Sequence, residues 1–258
     1  MLGWELAMML AASSIEALRS RRQHVLDNGT VYWRSTFVRT DPSESDPSPN
    51  GFLVEQQPDS VILPHFHQAN QFQVFVAGHG VLAKHPVTPV TVHYANAYSP
   101  YGPIRAGADG LHYFTLRDAY DPGARFMPGA RAELKAVRRR HAMSEPVVPI
   151  GSAELMRLTT VMQQTVIAPA ADGLAAWVIY VPPNDTFDAL PTAPTGGSRY
   201  LVVIVGMMAH EAAALPRLSC VYLSPEEAPR LRAGPGGAAL LIVQFPRAQT
   251  GNQEEAHQ

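Results

Sequence analysis

The stretch Leu63 to Gly80, LPHFHQANQFQVFVAGHG, decides how the rest of the chain is read. His65 and His67 stand two residues apart in a run with strand character, so their imidazoles leave on one face. Gln71 follows. The alternation then puts Phe72, Val74 and Val76 on one side and Gln71, Gln73 and Phe75 on the other. Gly78 and Gly80 read as the turn of a hairpin. Two histidines from one strand and an oxygen donor from its neighbour can meet at one point inside a small barrel, which is the chemistry of a metal pocket.

On either side of that stretch the chain is punctuated like an all-β protein. Thr30 to Arg39 (TVYWRSTFVR) is rich in β-branched and aromatic residues and reads as a strand, while Asp41 to Gly51 (DPSESDPSPNG) reads as a surface loop. Strands are expected at Phe52 to Gln56, Ser60 to His67, Gln71 to Val76, Val81 to His85, Val90 to Tyr94 and Leu111 to Arg117. Asp121, Pro122 and Gly123 form a turn, and Ala130 to Arg140 reads as a short helix. Its last three residues, all arginine, suit the negative end of a helix dipole. Trp4 to Arg19 is dominated by helix formers and is expected to be an amphipathic N-terminal helix or leader.

The second half repeats the first. Arg105-Ala106-Gly107-x-x-Gly110 returns as Arg232-Ala233-Gly234-x-x-Gly237, and FQVFVAG (Phe72 to Gly78) returns as YLVVIVG (Tyr200 to Gly206). The expected organisation is a leader (1–28), a first barrel (29–125), a helical linker (126–150), a second barrel (151–248) and a tail (249–258). In the second copy Ala193, Thr195 and Arg199 stand where His65, His67 and Gln71 stand in the first. They form no transition-metal ligand set, so any metal belongs to the first barrel.

The spacing His65-x-His67, three residues, Gln71, six residues, Gly78 resembles the first motif of the cupins, in which Glu usually occupies the Gln71 place. With the repeat, the whole chain is similar to a bicupin: two double-stranded β-helix, jelly-roll barrels. The resemblance implies a divalent ion (Fe, Mn, Ni or Zn) on His65, His67 and Gln71, or no metal, since Gln offers a neutral oxygen. The family's second motif carries a histidine after a Pro-x-Gly turn. Here Pro100-Tyr101-Gly102 puts Arg105 in that place, whereas counting back from Ala106 to Gly110 puts Tyr101 there. An arginine cannot ligate, and a phenol can ligate, bond to a bound group or protonate it. His93 and His112 could supply a further nitrogen if they face inward, and Gln73, Phe75, His93, Arg105 and His112 are candidate pocket lining.

Composition narrows the partners. The 258 residues are 46% hydrophobic and 16% charged, with a formal net charge of −2, which gives no reason to expect nucleic acid or an anionic membrane. Cys220 stands alone, so no internal disulfide forms and a reducing, cytoplasmic setting is expected. No phosphate loop, nucleophile elbow, paired-cysteine zinc motif or His-Glu-x-x-His helix is present. Two functions fit: a metal-dependent oxygenase or isomerase of a small molecule, with Tyr101 acting on the bound group, or a non-catalytic small-ligand-binding or structural cupin. Exposed sheet edges suggest a homodimer.

Overall fold

The computed structural model describes residues 8–39, 48–191 and 193–247. Two large antiparallel sheets dominate it, in a cupin-like jelly-roll arrangement. The first runs His141–Met143, Thr91–Ala95, Gln71–Leu82, Ile104–Arg117, Asn50–Gln56, Val31–Arg39, Arg22–Val25. The second runs Met9–Ala12, Cys220–Leu223, Arg199–His210, Leu231–Gln244, Ala175–Val181, Met162–Ile167. Short strands at Val61–Ile62 and His85–Val87 join the first, and Thr186–Phe187 and Ala213–Pro216 join the second. Among the described residues, no helix is long and apolar enough to cross a membrane.

The central strands are buried on both faces, and their period of two sorts side chains into three layers. In the first half, Phe52, Val54, Phe75, Leu111 and Tyr113 point into the first barrel. Their neighbours Leu53, Phe72, Val74, Phe114 and Leu116 point the other way. There they meet Tyr200, Val202, Leu241, Val243 and Phe245 of the second half. The alternate residues Trp177, Ile179, Leu201, Val203, Leu240 and Ile242 fill the second barrel. Phe72, Tyr94 and Tyr200 all pack against the Phe245 ring, which lies 4.9 Å from that of Phe72. Each such fully buried ring contributes roughly 2 kcal/mol relative to exposure.

Several expected elements take a different form. Among the described residues of the N-terminal segment, helix is limited to one turn at Ser14–Ala17 and a 3₁₀ turn at Leu18–Ser20. Ahead of them Met9–Ala12 is a strand paired with Cys220–Leu223, because a sheet edge with unpaired groups stands ready to receive it. Residues 1–7, much of the Asp41 to Gly51 loop and the tail from 249 lie outside the described residues. The linker helix is only a 3₁₀ turn, Gly129–Glu133; further on, His141–Met143 adds a strand to the first sheet.

The two glycine turns also differ. Gly78 and Gly80 lie inside one long strand, Gln71–Leu82, and Ala106 to Gly110 lies inside Ile104–Arg117. Between Ala106↔Gly80 and Leu111↔Gly78 one strand advances further than its partner, which is a bulge that bends the pair. The second half repeats it between Ala233↔Met208 and Ala238↔Gly206. Gly78 has φ +74°, and a Cβ there would lie 2.1 Å from the Gly110 carbonyl oxygen; at Gly206 the values are +73° and 2.2 Å from Gly237. Only glycine fits either place.

Candidate functional site

After Pro64 the chain continues as His65–Phe66, which pairs with Arg125–Phe126 on one side. On the other, the backbones of His65 and Tyr101 exchange hydrogen bonds at 3.0 Å in both directions. These two pairings bring His65, His67 and Tyr101 together over Gln71 and Gln73. The His65 and His67 ring centroids lie 5.2 Å apart, and those of His65 and Tyr101 4.5 Å apart. The cavity they line has a volume of about 120 Å³.

Each histidine is oriented through Nδ1. That of His65 lies 2.7 Å from the Leu63 carbonyl oxygen, and that of His67 lies 2.8 Å from Asp121 Oδ1. Donation from Nδ1 leaves the Nε2 lone pairs toward the cavity, the orientation by which proteins prepare metal-binding histidines. Both rings are neutral at pH 7. Burial lowers His65 to about 3, with repulsion from His67 second; burial lowers His67 to about 4, with Arg117 second.

Asp121 comes from the Asp-Pro-Gly turn, whose backbone fixes it: Gly123 N donates to Oδ1 at 2.9 Å and Gln68 N to Oδ2 at 2.7 Å. Burial pushes its pKa up, but the His67 hydrogen bond and the Arg117 charge outweigh this and hold it well below the usual carboxylate range.

Gln71 uses both ends of its amide. Nε2 donates to the Tyr101 hydroxyl at 2.5 Å, and Oε1 accepts from Arg117 Nε at 3.3 Å. Burial raises the Tyr101 pKa well above that of a free phenol, so its hydroxyl is protonated. Arg117, 5% exposed, sits opposite Gln71 in the ladder. Its Nη2 lies 3.1 Å from Nδ1 and 3.2 Å from Nε2 of His67, facing the ring rather than one lone pair. The Asp121 carboxylate is 3.4 Å from Nη1.

A divalent ion finds an incomplete set here. Two imidazoles are prepared for it, but the third donor is a neutral amide oxygen already bonded to a guanidinium, and the phenol holds its proton. A fixed positive charge stands where a ligand field would need a negative one. Among the described residues, no group of three or more His, Cys, Asp and Glu side chains is placed to hold a metal. The residues do not fit a resident divalent ion.

The other expected residues divide. Gln73 lines the cavity. Phe75 is in the barrel core with Tyr101 and packs 5.3 Å from the Tyr113 ring. His93 is buried but turned to its own network, with Nδ1 3.0 Å from Gln73 Oε1 and Nε2 3.4 Å from His141 Nδ1. Arg105 is exposed, because it falls on the outward face of its strand between buried Ile104 and Ala106. His112 falls on the other face of its strand, opposite Glu55. Neither Arg105 nor His112 lines the cavity.

Arg117, Asp121 and a second arginine, Arg34, are the residues that sequence reading missed. Their signals were the alternation Leu111, Tyr113, Thr115, Arg117 on one strand face, and a long polar residue in the aromatic strand Val31–Arg39. In the second barrel the same cross-strand pair exists with its partners exchanged. Arg199 Nε donates to Gln244 Oε1 at 2.7 Å, and these two are opposite each other as Gln71 and Arg117 are. Apolar side chains fill the space beneath.

No protein-family model matches the chain, and no curated protein matches it. Solved structures do. A bacterial pirin from Escherichia coli in complex with nickel(II) is similar at 11% identity and TM-score 0.52, over 93% of this chain and 100% of that one. An oxalate decarboxylase from Lactobacillus farciminis, as its formate complex, is similar at 10% identity and TM-score 0.53, over 92% and 86%. An 11S globulin from Wrightia tinctoria, described with an auxin binding site, is similar at 11% identity and TM-score 0.54, over 94% and 84%. At such identities the likeness is one of fold.

Proposed function

We propose that this chain, whose fold is that of the bicupins, binds a small organic molecule inside its first barrel and keeps the second as a solid structural partner. One contrast carries the reading. The first barrel holds a cavity lined by His65, His67, Gln73, Tyr101 and Arg117, whereas the equivalent interior of the second is packed with Trp177, Leu201, Leu240 and Ile242. Polar groups converging in a concave, largely preformed site are the ordinary basis of small-molecule recognition. His65 and Tyr101 present a neutral acceptor and a neutral donor to whatever enters.

The second reading is a metal-dependent oxygenase or isomerase, with His65, His67 and Gln71 as ligands. It is favoured by the Nδ1 anchoring that leaves both Nε2 atoms free of backbone partners. It requires Arg117 to withdraw from His67 and Gln71. One paired experiment decides between them. Elemental analysis of protein purified without tag or chelator is expected to find no stoichiometric metal, and a thermal-shift screen of small acids and sugars is expected to find stabilising compounds. Val54→Phe, which fills the cavity, abolishes that stabilisation. Stoichiometric metal that is lost in His65→Ala with the fold retained would replace this reading with the metal one.

A further inference from the structure

We infer that the first-barrel cavity is selective for a small monocarboxylate with an apolar body, held between Arg34 and Arg117. This rests on the reading of that cavity as a ligand site. Both guanidinium groups lie against one ring, that of Phe52: the Arg34 carbon is 3.7 Å from its centroid and the Arg117 carbon 5.3 Å. The ring belongs to the strand between theirs, which places Arg34 and Arg117 on its two sides. Both arginines and Phe52 line the cavity.

The charges facing that space do not balance. Asp121 is the carboxylate matched to Arg117, and it is shared with His67. Half-buried Arg34 has no hydrogen-bond acceptor and no carboxylate partner among the described residues; its guanidinium lies against the face of Phe52, with Tyr32, Arg39 and Arg117 near enough to act on its charge. The proximity of the two positive charges, after burial, lowers the Arg34 pKa to about 10, which still leaves it charged at neutral pH. Of the two arginines lining the cavity, Arg34 is therefore the one with no opposite charge beside it among the described residues. A partly buried charge without a partner carries part of its desolvation cost uncompensated, and a bound monoanion offsets it.

Geometry selects the kind of anion. A guanidinium fork presents parallel N–H groups that a carboxylate accepts pairwise. Phe52, Val54, Ile62 and Phe126 give the cavity apolar and aromatic wall beside the polar Gln73 and Thr115, which suits a hydrocarbon body better than a hydrated inorganic ion. A volume of about 120 Å³ limits that body to a short branched chain or a single ring.

Isothermal titration with benzoate and 3-methylbutanoate, each beside its neutral amide, tests this. The acids are expected to bind the wild-type protein at least tenfold more tightly than the amides, and Arg34→Met is expected to bring the ratio of acid to amide affinity close to one. Because Arg34 stands nearer solvent than Arg117, its variant keeps the Arg117–Asp121 contact, and circular dichroism checks its fold. Equal binding of acid and amide by the wild type overturns the carboxylate inference and leaves the ligand site standing. Acid preference that persists in both Arg34→Met and Arg117→Met also overturns it. Binding of neither acid nor amide removes the inference and the site together.

Discussion

His93 illustrates how one residue type takes two roles within one barrel. It is 4% exposed and forms a closed chain of neutral contacts, Gln73 on Nδ1 and His141 on Nε2. A proton added to Nε2 would face a second imidazole ring stacked 5.6 Å away. Burial first, then repulsion from His141 and His85, lowers its pKa to about 3. In the unfolded chain the same group titrates near 6.5. Below that pH the unfolded state gains a proton that the folded state refuses, so stability falls as pH falls from about 6.5 toward 3.

The slope from this residue is about 1.4 kcal/mol per pH unit, and His65 and His67 act in the same direction. Urea unfolding at pH 7.5 and 5.0 is therefore expected to show a marked loss at the lower pH, and His93→Asn to lose about 2 kcal/mol less than wild type. Equal losses would mean that His93 already accepts a proton in the folded protein. The histidine pair at 65 and 67 was legible in the sequence because its spacing matches the strand period. Arg117 was not, because its role comes from facing Gln71 across the ladder, and Asp121 was read as a turn residue when its side chain turns inward.

At the scale of single elements, the paired bent strands hold the design. Gln71–Leu82 with Ile104–Arg117, and Arg199–His210 with Leu231–Gln244, carry the same bulge beside the same glycine contact. A methyl group at Gly78 or Gly206 meets a backbone oxygen at a distance that no side-chain rotation relieves, and the positive φ adds strain of its own. Gly78→Ala and Gly206→Ala are each expected to cost about 3 kcal/mol or to abolish soluble expression. Gly236→Ala, whose Cβ would have nothing within 4 Å, is expected to stay within about 0.5 kcal/mol of wild type. Chemical denaturation of the three variants checks this, and a mild Gly78→Ala would show that the bulge relaxes. The repeat was visible in the sequence as recurring glycines. Their reading as hairpin turns failed because glycine marks a close backbone approach inside a strand as well as a reversal between strands.

At the scale of the molecule, the two halves are interlocked by more than their shared core. Met9–Ala12, ahead of the first barrel, pairs with Cys220–Leu223 of the second sheet; His141–Met143, ahead of the second barrel, pairs with Thr91–Ala95 of the first. Each sheet is thus extended by a strand from the segment that introduces the other. Such an exchange could not be read from local pattern, since a four-residue apolar run favours helix or strand according to the edge it finds. Phe245 is fully buried where the layers meet, against Phe72 and Tyr94 from the other half.

Phe245→Ala leaves a cavity on the surface that joins the barrels and is expected to cost about 3–5 kcal/mol. If the halves fold as one unit, hydrogen exchange in this variant speeds up together in Gln71–Leu82 and Arg199–His210, although only the second strand belongs to the mutated half. Acceleration confined to Arg199–His210 would mean that the barrels unfold separately. The first barrel would then have to hold its cavity open without help from the second. Joint acceleration gives the filled barrel its purpose, since a solid unit packed behind Phe72, Phe114 and Leu116 braces the strands whose opposite faces carry Gln71, Gln73, Thr115 and Arg117.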